Sequence, residues 1–168
     1  MEVVEGIATV DDVGAFVARL GQIGDTNDVA VQAFDARYVV DRTHLERAVA
    51  FANRAVERGD AIADDRAVEI LCYAAGRRQI DRAMTMGIAA GEGPVAVVVD
   101  AGPDPDTERE AAAATSVRDL LEPAATLEDF DEAAVMDFFD ISEAELAAAA
   151  GDLAGVVHER VALLVVNR

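Results

Sequence analysis

Residues 29–58, VAVQAFDARYVVDRTHLERAVAFANRAVER, change period once, and that change decides the fold class. Apolar residues alternate at Val29, Val31 and Ala33, then at Ala36, Tyr38 and Val40, the period-two mark of a strand. The phase slips between the two sets, which predicts a bulge. From Leu45 the period becomes 3.6: Leu45, Ala48, Val49, Ala52, Ala55 and Val56 form one helical stripe. Thr43 and Glu46 read as its capping box, and Gly59 ends it.

Outward from this stretch, three more segments read as strands: 2–8, 95–99 (VAVVV) and 161–166 (VALLVV). A short helix is expected over 11–20. Helical patterning continues past Gly59, with a second helix after Asp64–Asp65 and a third over 77–86, opened by a break at Gly76. Thr107 and Glu110 read as the capping box of a helix over 107–121, stopped by Pro123. Further helices are expected to start at Thr126 and at Ser142, with Glu145 three residues on. Helices are grouped rather than alternating with strands. The expectation is therefore one α+β domain over 1–168, with a small, about four-stranded, mostly antiparallel or mixed sheet carrying helices on one side.

The chain has 168 residues and a formal charge of −19, with no lysine. Acid and base are not mixed evenly: nine of the fourteen arginines fall in residues 37–82, among only eight of the 33 acids. Such acidity, with arginine as the sole cation, resembles proteins of salt-accumulating, halophilic microbes. At about 1 M salt the Debye length is roughly 3 Å, so distant carboxylates hardly disturb a local arginine patch. No basic–apolar leader and no run long enough to span a membrane is visible, which points to a cytoplasmic protein without membrane partners. The lone Cys72 excludes an internal disulfide and a cysteine-based zinc site.

Catalysis is poorly supplied. There is no phosphate-cradling glycine loop, no serine-nucleophile turn and no metal-ligand spacing, so neither an enzyme nor a bound cofactor or metal is expected. His44 and His158 read first as packing or capping residues, Cys72 as a small core hydrophobe, and Glu69 as half of an ion pair. The arginines carry more. Arg47, Phe51, Arg54 and Arg58 share one helical stripe, and Arg77, Arg78 and Arg82 crowd around Gln79 after Gly76. Arginine beside an aromatic ring stacks unpaired bases and grips phosphates.

The stretch EILCYAAGRRQIDRAMTMGI, residues 69–88, resembles the signature of the small regulatory subunit of the KEOPS complex, the family of PRPK-binding proteins. FDARYVVDRTHLERAVAFANRA upstream and ERVALLVV at 159–166 fit the same family, and the acidic stretch 100–140 fits least. The resemblance implies a non-catalytic subunit that binds the small kinase-like ATPase of that complex. It implies further that the subunit captures the single-stranded CCA end of tRNA, so that threonylcarbamoyl is installed on the adenosine beside the anticodon. The RNA-end site would comprise Arg77, Arg78, Gln79, Ile80 and Arg82, with His44 and Arg54 near them. The kinase-like partner would meet an exposed apolar patch at Val156 and Val157. A protein-only adaptor, whose arginines face an acidic partner, is the alternative.

Overall fold

The computed structural model describes residues 1–166. Its centre is a four-stranded, wholly antiparallel sheet in the order β2 (Ala30–Asp35), β3 (Gly91–Asp100), β1 (Glu2–Val10), β4 (Glu122–Pro123). β3 lies between β2 and β1, which is why its apolar run is continuous. Val97 and Val99 face one layer of helices while Ala96 and Val98 face another. Helices therefore cover both sides of the sheet, not one as the grouping of helices in the sequence implied.

On the first side α1 (Val13–Asn27) and α5 (Thr107–Arg118) pack on Val4, Ala8, Val31 and Val97. On the second side, α2 (Arg42–Arg58), α3 (Arg66–Ala75) and the last helix cover Phe34, Ala96 and Val98. Between them come the single turn α4 (Ile80–Ala83), α6 (Glu132–Phe138) and α7 (Glu143–Ala148), before α8 (Leu153–Val166) closes the described chain.

Four local expectations change. Residues 161–166 belong to α8 rather than to a strand; with Val161 and Leu164 buried, the apolar run fills one helix face. The fourth strand is instead the two-residue β4, which approaches β1 where Gly6 has no side chain: a Cβ there would stand 2.7 Å from the Glu122 carbonyl oxygen. The phase slip after Ala33 is the end of β2, where Asp35 accepts from the Arg37 N–H and turns the chain into a 3-10 turn over Ala36–Tyr38. No helix begins at Thr126, whose hydroxyl donates to the Val95 carbonyl while its N–H donates to Glu5; α6 starts later, capped by Asp131.

Aspartates also take the capping work assigned to the two threonines. Asp41 accepts from the His44 N–H at the start of α2, and Asp106 from the Arg109 N–H at the start of α5. Ser142 caps α7 as expected, and Gly59 and Gly76 end α2 and α3 in the left-handed conformation. Far from Gly76, Arg66 of α3 reaches Asp100 at 2.6 Å and Asn53 of α2 at 3.2 Å, fixing both helices to the end of β3.

Candidate nucleic-acid interface around Gly76

The segment after α3 stands on a rigid base. Gly76 has φ +61°, and a Cβ there would come 3.3 Å from the Arg160 carbonyl of α8, so the turn needs glycine for conformation and for space. One residue on, Arg77 stacks over the Phe138 ring (5.3 Å to its centroid) and donates to the Phe138 carbonyl and, at 3.2 Å, to Asp140. Arg160 grips the same corner, donating to the carbonyls of Phe139 and Asp140 while its two amino groups hold both oxygens of Glu145 at 2.8 Å. That pairing holds the Glu145 carboxyl below its usual range. Arg77 is thus spent on the fold, joining α3 to the α6–α7 corner.

His44 is also internal. It is fully buried, its Nε2–H donates to the Ala74 carbonyl at 2.7 Å, and its Nδ1 accepts from Val40 N–H. Burial pushes its pKa down to about 4, so it is neutral and offers nothing to an external ligand. Its effect on the segment is indirect: it fixes the last turn of α3 two residues before Gly76. Glu69 accepts from the N–H groups of Ile62 and Ala63 and orders the loop between α2 and α3, instead of pairing with an arginine. Cys72 is buried, and desolvation raises its thiol to about 11.

Beyond Arg77 the side chains turn outward. Arg78, Gln79, Ile80 and Arg82 are all exposed, and Met84, one turn after Ile80, is 62% exposed. The helix here is shorter than the sequence implied: α4 starts only at Ile80, and Met84–Met86 is a 3-10 turn. Arg77 and Arg78 therefore precede it, in the loop rather than in the helix. What the segment presents is an exposed loop and turn, held underneath by buried Ala83 and Met86.

Arg54 lies on the neighbouring helix. Its guanidinium sits 4.9 Å from the Phe51 centroid, and Phe51 stacks on Tyr73 at 6.1 Å, nearly parallel. Tyr73 in turn accepts the Gly76 N–H through its carbonyl, so contacts run from Arg54 to the base of the segment. Among the described residues Arg47, Arg54, Arg58 and Arg82 have no carboxylate partner, although acids outnumber arginines more than twofold. Among the described residues, the arginines without a carboxylate partner all fall in the arginine-dense segment, Arg19 on α1 excepted.

Val156 and Val157 are 4% and 0% exposed, part of the core beneath α2 and α3, so they do not form an exposed patch. The 3.6 period of α8 turns Leu163 and Val166 outward instead, the latter 74% exposed. No helix among the described residues is long and apolar enough to cross a membrane, and no group of acidic, histidine or cysteine side chains among them is placed to hold a metal ion.

A search of curated proteins found none that matches this chain. A family model does match, over residues 9–164, and its description is "Kinase binding protein CGI-121". That span includes every helix but the last two residues of α8 and all but the first strand residues of the sheet, so this chain belongs to the CGI-121 family of kinase-binding proteins.

Proposed function

We propose that the chain is a non-catalytic subunit that docks on a kinase-like ATPase and captures the single-stranded CCA end of tRNA, in support of threonylcarbamoyladenosine modification by the KEOPS complex. The observation that carries this reading is Arg82, with no carboxylate partner among the described residues, set in one exposed turn with Gln79, Ile80 and Met84. In a chain this acidic, arginines reach carboxylates easily, and most here do. Of those left over, Arg54 lies on the Phe51 ring and Arg58 lines the same hollow with Phe51 and Tyr73, surroundings that suit unpaired bases. Arg78 and Arg82 grip backbone phosphate or stack on a base, Gln79 reads a base edge, and Ile80 and Met84 give an apolar floor. Arg54, already flat against Phe51, extends the stack. At high salt counterion release drives binding weakly, so stacking and base-edge hydrogen bonds carry the affinity.

The kinase-like partner docks on the exposed end of α8. Leu163 and Val166 are the large apolar side chains that α8 leaves exposed, and they take the role that the sequence suggested for Val156 and Val157. The family's description supports the partner; the exposed pair supports the place.

The test is a binding titration of the isolated protein with intact tRNA and with tRNA lacking its terminal CCA, at near-native salt. Tighter binding of intact tRNA is expected. Equal binding of the two would leave a protein-only adaptor for the kinase-like subunit.

A further inference from the structure

β3 outruns β2. Val95 is the last β3 residue paired with β2, opposite Asp35, whereas Gly91–Pro94 pair only with β1. Beyond that point one edge of the strand is open, and it walls a half-enclosed cleft of about 270 Å³. Its other walls are Ala8 and Val10 of β1, Asp35 and Arg37 where β2 turns away, and the chain leading in from Ile88. In the chain the cleft follows the exposed Ile80–Met84 turn, with Thr85, the buried Met86 and Gly87 between.

Three features define what fits. The first is a prefixed plane: the Arg37 Nε and Nη2 fork onto both oxygens of Asp35 at 2.6 to 3.2 Å, while Nη1 has no partner among the described residues. A guanidinium held this way is a ready stacking surface. The second is naked backbone, since a Cβ at Gly91 or Gly93 would meet nothing within 4 Å. The third is charge. Arg37 is neutralised by Asp35, and Glu92 adds a carboxylate at the mouth, so the cleft disfavours a phosphate and suits a neutral group rich in hydroxyls.

A peptide strand fits poorly, because the open edge is four residues long and one of them, Pro94, has no N–H to donate. The volume lies just under the roughly 300 Å³ at which pockets begin to take drug-sized ligands. One nucleoside matches it.

We propose that this cleft receives the terminal nucleoside of a 3′-hydroxyl RNA end: the base stacks on Arg37 and meets the strand edge at Gly91–Gly93, and Glu92 accepts from the ribose cis-diol. Carboxylates recognise ribose hydroxyls in this way in dinucleotide sites. The proposal rests on the RNA-end reading above and gives it polarity. The turn at Arg78–Met84 holds the preceding nucleotides, and the cleft checks that the end is a free, unphosphorylated ribose.

The experiment titrates the full-length protein with a short single-stranded RNA ending in CCA, carrying either a free 3′ end, a 3′-phosphate or a periodate-opened terminal ribose. Amide chemical shifts are followed in parallel. The free end is expected to bind about tenfold more tightly than either modified end, and to shift the Gly91–Gly93 amides. Glu92→Gln, at an exposed position, should erase most of that preference. Arg37→Lys keeps a cation beside Asp35 but loses the plane, and should weaken the free end about tenfold while leaving thermal stability unchanged. Equal binding of all three ends, or unshifted Gly91–Gly93 amides, overturns the cleft assignment. If Arg82→Ala still weakens binding in that case, RNA-end capture stands without it. Failure of wild type to distinguish RNA with and without CCA sinks both.

Discussion

His44 and Ala74, thirty residues apart, are joined by a 2.7 Å hydrogen bond from the imidazole Nε2–H to the carbonyl in the last turn of α3. The bond needs a neutral ring, because Nδ1 accepts from the Val40 N–H while Nε2 donates. Burial holds the folded pKa near 4, below the ordinary 6.5, so the unfolded chain binds more protons between those values. Stability must then fall as pH drops from about 6.5 towards 4, by at most roughly 3 kcal/mol from this group. Chemical denaturation of wild type and His44→Gln across that window checks it: the difference between their stabilities should shrink towards pH 4. A difference independent of pH would contradict the assignment.

Gly76→Ala should cost about 1–2 kcal/mol, since the residue sits at φ +61° and the new methyl meets the Arg160 carbonyl. The damage should be local as well as global. α8 must shift from α3, so amide exchange over 77–83 should quicken relative to the β3 core. Thermal melts and hydrogen exchange on the variant read both effects.

The elements with a clear period were legible in the sequence: β1, β2, α2, α3 and the buried run of β3. Their caps were only half legible, because Asp41 and Asp106 stand close before threonines that fit the same motif. The strand expected at 161–166 failed for a physical reason. A short run of valine and leucine has no period of its own, and buried Leu153, Val156 and Val157 upstream make it the end of one helical face. The candidate segment was legible as a turn after Gly76, but not residue by residue. Gly76 announced the turn, yet nothing local said that Arg77 would be taken by Phe138 and Asp140, residues 61 and 63 positions away. Nor did any motif point to the cleft at Arg37, which exists because two strands end at different heights.

Val157→Arg tests the revised partner surface by contrast. A charge at a fully buried position should destabilise by about 4 kcal/mol or more, and loss of the kinase-like partner would then follow from unfolding. Leu163→Glu and Val166→Glu, both exposed, should keep the melting temperature within a few degrees and still weaken co-purification with the kinase-like ATPase. Undiminished co-purification of the folded double variant would move the interface elsewhere.

Arg77 and Arg82 are five residues apart and should separate stability from RNA binding. Arg77→Ala removes the stack on Phe138 and two hydrogen bonds, which should lower stability by about 1–3 kcal/mol. Arg82→Ala removes a side chain with no carboxylate partner among the described residues, so stability should change by less than about 0.5 kcal/mol. Its cost should appear in tRNA affinity instead: about 1–3 kcal/mol, or ten- to a hundredfold. The effect should vanish with tRNA stripped of CCA, because the contact is then already gone. It should also persist at about 1 M salt, where screening cuts a purely Coulombic contact to roughly 3 Å but leaves stacking and hydrogen bonds. If Arg82→Ala binds intact tRNA as wild type does, the exposed turn is not the RNA contact.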